Sequence, residues 1–86
     1  MNESERVESC RLALLRSCHD CGAWVSGDGR CTEETAASLL GLSPGTLCNK
    51  RSEGSAPPHY RLGGGGSRVS YSLNDLARWI VSHRCE

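Results

Sequence analysis

The stretch "TEETAASLLGLSPGTLCNKRSEG", Thr32 to Gly54, constrains the fold more than any other part of this chain. It holds two helix starts and two helix stops in quick succession. Thr32 suits an N-cap because its hydroxyl can accept a first-turn N–H, and Glu33 and Glu34 set negative charge at the positive end of the helix dipole. Ala36, Ala37, Leu39 and Leu40 give an apolar face, and Gly41 suits a left-handed stop. Ser43 then offers a second N-cap, Pro44 falls where a missing N–H costs nothing, and Gly54 is the next stop. The spacing predicts helices over 33–40 and 44–53, joined by a turn of about three residues, Gly41-Leu42-Ser43. That is a helix-turn-helix.

Downstream, "SAPP" at residues 55–58 cannot continue a helix and leads into extended chain. Tyr60 and Leu62 alternate with His59 and Arg61, and Val69 and Tyr71 alternate with Arg68 and Ser70. Two alternating runs around Gly63–Ser67 predict a β-hairpin with a glycine-rich tip, in preference to an inserted linker. In this reading Arg61 and Arg68 share the polar face. Ser72 caps a last helix, with Asp75 three residues on as a capping-box acid, and Leu76, Trp79, Ile80 and His83 recur at helical steps over 73–83. The expected core is Leu39 or Leu40 with Leu47, Leu62, Val69, Leu76, Trp79 and Ile80.

Upstream, Val7, Cys10, Leu14 and Cys18 lie at helical spacing, with acids early and Arg11 and Arg16 late, so residues 3–17 are expected to form an amphipathic helix. The run "CHDCGAWVSGDGRC", residues 18–31, reads as a loop. The expected organisation is an N-terminal helix with a Cys-rich loop over 1–31 and a winged helix-turn-helix over 32–86. Together they make one compact, mainly α unit with a small β-hairpin.

The chain has 86 residues, no Phe, and ten basic residues against ten acidic ones. The balance conceals an asymmetry: residues 1–42 carry a net −3 and residues 43–86 a net +3. The second half is therefore the expected phosphate-facing surface. No apolar run reaches the roughly 18 residues that a membrane span needs. The polar, acidic "MNESERVES" is unlike a secretory signal, which leads to the expectation of a cytoplasmic protein. No catalytic set is visible, since His19, His59 and His83 have no recognisable nucleophile beside them, and an enzyme is not expected.

Six cysteines in such a chain are expected to be thiols or metal ligands rather than disulfides. Cys18 and Cys21 form a C-x2-C, and Cys31 follows. These three could bind zinc with a fourth ligand from Cys10, His19 or His59, but the second matched pair of a strong zinc motif is missing. Reduced thiols are the preferred reading, with zinc and redox chemistry as alternatives.

The stretches "TEETAASLLGLSPGTLCNKRSEG" and "PPHYRLGGGGSRVSYSLNDLARWI" resemble, in their order, the small excisionase and AlpA-like regulators with a MerR-type winged helix-turn-helix. The resemblance covers residues 32–83. It departs from the family in its longer glycine-rich tip and in Cys48, where an aromatic is common, and MerR's long dimerisation helix is absent. It implies a sequence-specific binder of double-stranded DNA in a phage or mobile element, acting as a recombination directionality factor or a transcriptional regulator. The implied partners are an integrase or further copies on adjacent sites. On that reading Ser43, Gly45 and Thr46 would hold a phosphate at a helix N-terminus. Asn49 would pair with adenine, and Lys50 or Arg51 would reach guanine or phosphate. Arg61 and Arg68 would grip the backbone, with the bare amides around Gly64, Gly65 and Ser67 close to a phosphate. The competing classes are a protein-interaction module using the acidic N-terminal helix, and a zinc- or redox-responsive switch.

Overall fold

A computed structural model describes residues 2–61 and 69–83. In chain order the elements are α1 (Glu3–Cys21), β1 (Arg30–Thr32), α2 (Glu33–Leu40), α3 (Pro44–Glu53), β2 (Tyr60–Arg61), β3 (Val69–Ser72) and α4 (Leu73–Ser82). The described residues are thus mainly helical, with a three-stranded antiparallel sheet ordered β1-β3-β2. Each helix starts at a side-chain cap. Asn2, Thr32 and Ser43 accept from the N–H of Glu5, Thr35 and Thr46, and Ser72 accepts from those of Asn74 and Asp75. These contacts span three residues at most, so α2 and α3 have the bounds expected from their letters.

Two stretches differ from expectation. The first helix runs on to Cys21, because Leu14 and Cys18 continue its buried stripe and Gly22, at φ 72°, is the first residue to leave right-handed space. Cys18 and Cys21 therefore lie in the last turn of a helix rather than in a loop. The second difference is β1. Cys31 faces the core opposite Tyr71, while Arg30 pairs with Ser72 and Thr32 with Ser70. A single bridge from Val25 to Cys31 closes the loop before it, with the Ser26 N–H donating to the Arg30 carbonyl at 2.8 Å. The boundary expected at residue 31 therefore falls inside a strand of the shared sheet.

Leu14, Cys18, Cys31, Ala36, Ala37, Leu47, Tyr71, Leu73, Leu76 and Ala77 form the core. Of the residues expected there, Leu47 and Leu76 are wholly buried, and Leu39, Leu40, Val69 and Ile80 pack at its edge. Leu62 lies outside the described residues. Trp79 stacks on His83 at 4.3 Å between ring centroids. With no Phe to fill space, three alanines let helices and sheet approach closely around one tyrosine. The helix α1 packs along α4, whereas α3 packs on α2.

The strand β2 also sits the other way round, whereas β3 keeps Val69 and Tyr71 on the core side. Tyr60 pairs with Ser70 and Arg61 with Val69, so Arg61 shares the face of Val69 and Tyr71, and Tyr60 the outer one. Directly paired residues in an antiparallel ladder point to the same side. Tyr60 is 47% exposed there, under the Arg30 guanidinium at 5.5 Å, with its hydroxyl donating to Asp75 at 3.5 Å. Two polar partners hold a ring that alternation alone would have put inside.

Candidate nucleic-acid interface

The turn between α2 and α3 is built by backbone. The N–H groups of Gly41 and Leu42 return to the carbonyls of Ser38 and Ala37, at 3.1 and 2.8 Å. Gly41 makes this possible at φ 74°, a conformation that costs a side chain strain. From this turn α3 projects with one anchored side and one open side. Leu47 is wholly buried. Ser43, Pro44, Gly45, Thr46 and Asn49 are exposed, and Lys50 is half-buried. The Ser43 hydroxyl caps the helix by accepting from the Thr46 N–H at 3.2 Å, and it also bonds the Thr46 hydroxyl at 2.8 Å. A Cβ on Gly45 would meet nothing within 4 Å, so this end of α3 presents bare backbone and short side chains. Such a surface admits a phosphate closely, and the Asn49 amide offers the paired donor and acceptor that a base edge requires.

Arg51 belongs to the other side of α3. Its Nε and Nη2 donate to the two carboxylate oxygens of Glu33 at 2.8 and 3.3 Å, and Nη2 lies 3.5 Å from the Cys48 sulfur. The Tyr71 hydroxyl donates to the same carboxylate at 3.1 Å. The His59 ring lies 6.1 Å from that of Tyr71. The Arg51 hydrogen bond is the main reason the Glu33 carboxyl sits below the usual glutamate range, while burial, then the hydrogen bond to Glu33, pushes Tyr71 up to about 12. Arg51, expected to reach DNA, instead fastens α3 to α2 and to β3. The reason is geometric: at position 51 the helix turns its basic side chain toward an acid in the first turn of its neighbour.

The remaining expected contacts divide. Arg61 is exposed, on the sheet face that carries Val69 and Tyr71, which is the face tied through Glu33 to α3. Gly64, Gly65, Ser67 and Arg68 lie outside the described residues. Glu33 and Tyr71 were missed as positioning groups, since Glu33 read only as a dipole complement and Tyr71 only as an alternating residue. Arg30 was missed as well. It donates to Asp28 at 3.1 Å and to Ser70 at 3.4 Å, on the outer face of the sheet.

Of the three cysteines that the zinc alternative would use, Cys18 lies near both Cys31 and Cys21. Cys18 and Cys31 are wholly buried and Cys21 is exposed, its thiol donating to the Cys18 carbonyl at 3.6 Å. Among the described residues no group of three or more His, Cys, Asp or Glu side chains could hold a metal ion. Burial, and then the nearby Cys18, pushes the Cys31 thiol up to about 12; burial also raises Cys18 and Cys10. Cys10, Cys18, Cys21, Cys31 and Cys48 are free thiols. Among the described residues no helix is long and apolar enough to cross a membrane. Compared with known proteins, the chain matches no family model, no curated protein and no solved structure.

Proposed function

We propose that this protein binds double-stranded DNA in a sequence-specific manner, with α3 in the major groove and the hairpin beside it as a wing. The observation that carries the reading is the two-sidedness of α3: Leu47 is buried and Arg51 is bonded to Glu33, while Gly45 and Thr46 in the first turn and Asn49 one turn further stand exposed. A helix held this rigidly with a short polar outer side can bring base-reading groups to a groove without losing much conformational freedom on binding. The biological role proposed is that of a mobile-element regulator or recombination directionality factor, working with an integrase or with further copies on adjacent sites. Neither role requires catalysis by this chain. One small module reads few base pairs, which makes neighbouring copies or a partner necessary for useful affinity.

A mobility-shift titration against duplexes tiling the region upstream of the protein's own coding sequence tests the reading. One duplex should shift at concentrations well below those for the others. Equal retardation of every duplex, or of none, would overturn sequence-specific binding.

A further inference from the structure

We propose that the groove between α1 and α4 is a docking site for an extended, arginine- or lysine-bearing segment of a partner protein. The groove has a volume of about 650 Å³ and runs between the first turns of α1 and the outer side of α4. Three carboxylates line it, those of Glu3, Glu8 and Asp75, against one guanidinium, that of Arg78. Glu8 is also bonded to Arg11 and Asp75 accepts from the Tyr60 hydroxyl, so these two acids are held in place, and Glu8 is in part neutralised. Val7 and Trp79 add apolar surface. The indole of Trp79 is steadied by its stack on His83, at an interplanar angle of 25°.

A groove that carries both an aromatic ring and carboxylates suits one kind of side chain above others. The aliphatic stem of arginine or lysine lies on the indole while its charged head meets the acids. The occupant chosen here follows from charge: the excess of carboxylates repels a nucleic-acid backbone and attracts a basic peptide. The position of the groove agrees with this. Its walls are α1 and α4, whereas α3 packs on α2, so a segment lying in the groove leaves the open side of α3 uncovered. The inference stands apart from DNA binding and can fail or succeed without it.

The test is a titration of the isotope-labelled full chain with a capped octapeptide of alternating glycine and arginine, following the indole N–H resonances by NMR. The Trp79 resonance should move and saturate, while that of Trp24, which does not line the groove, should stay. Combining Glu3→Gln with Asp75→Asn should weaken binding roughly five-fold, and raised salt should weaken it further. Arg78→Gln removes the opposing charge and should tighten binding about two-fold, a gain that misfolding cannot produce. Four results would overturn the proposal. They are an unmoved Trp79 indole, equal binding of the same peptide with glutamine for arginine, a Trp79 shift that tracks protein concentration without peptide, and a Trp79 shift on adding duplex DNA. The third would assign the groove to a second copy of this chain, and the fourth to nucleic acid.

Discussion

Glu33 takes the hydrogen bonds of Arg51 and Tyr71, and through them joins α2, α3 and β3. Its carboxylate is mostly shielded, with 23% of the side chain exposed. Its pKa in the fold lies below the ordinary value of 4.5, chiefly through the Arg51 bond. A depressed carboxyl contributes stability that is fully present above that ordinary value and fades as pH falls through the lower, folded value. Glu33→Gln should therefore cost about 1–2 kcal/mol near neutrality and flatten the acid loss, as seen by urea unfolding at about pH 7 and about pH 3. An unchanged acid slope would assign that loss to other carboxyls. Asn49 is the opposite case, an exposed residue with little to stabilise. Asn49→Ala should leave the unfolding midpoint unchanged yet weaken the preferred duplex by roughly 1–3 kcal/mol, with random DNA nearly unaffected. Loss on all duplexes alike would mean that Asn49 touches only backbone.

At the scale of elements, the turn and the first helix carry different kinds of energy. Gly41 sits at φ 74° with open space around its missing Cβ, so a substitution there is penalised by conformation alone. Gly41→Ala should destabilise by roughly 1–2 kcal/mol, and Gly41→Asn by clearly less, because asparagine tolerates left-handed backbone. Calorimetric melting of the two variants separates strain from steric conflict, which would penalise asparagine more than alanine. Helix α1 instead contributes buried surface. Leu14 is 8% exposed and Leu12 is 51% exposed on the same helix. Leu14→Ala should cost about 2–4 kcal/mol and Leu12→Ala less than about 0.5 kcal/mol, in one cooperative transition. Two separate transitions would show that α1 folds apart from the rest. The packing of α1 along α4 argues against that.

For the molecule as a whole, the ten basic and ten acidic residues matter by placement rather than by sum. Glu3 and Glu8 of α1 line a groove beside α4, and Lys50 and Arg61 lie on α3 and β2. If the proposed DNA reading holds, few cations among the described residues would face the duplex, and the log–log dependence of affinity on salt should have a slope of only about 2–4. Lys50→Ala should lower it by about 0.9 on every duplex, measured by fluorescence anisotropy. A much steeper slope would require a larger basic surface than this one.

The sequence by itself determined α2, α3 and the start of α4, because a cap or a stop is a bond between residues two to five apart. It also placed Ser43, Gly45 and Thr46 at an open helix start and Asn49 on the same helix's outer side. It could not reveal β1, three residues with no readable period that become a strand only beside β3. Nor could it say which way the hairpin faces. Tyr60 was settled by Arg30 and Asp75, and local alternation is equally satisfied by either face. Arg51 looked like its neighbour Lys50, and only Glu33, eighteen residues earlier, drew it inward. The same holds for the thiols: C-x2-C is a spacing, but the burial of Cys18 and Cys31 depends on what packs over them. Local hydrogen bonds were decided within a helical turn. Partner choice, strand pairing and burial were decided by contacts distant along the chain, whose energies exist only once the chain has closed on itself.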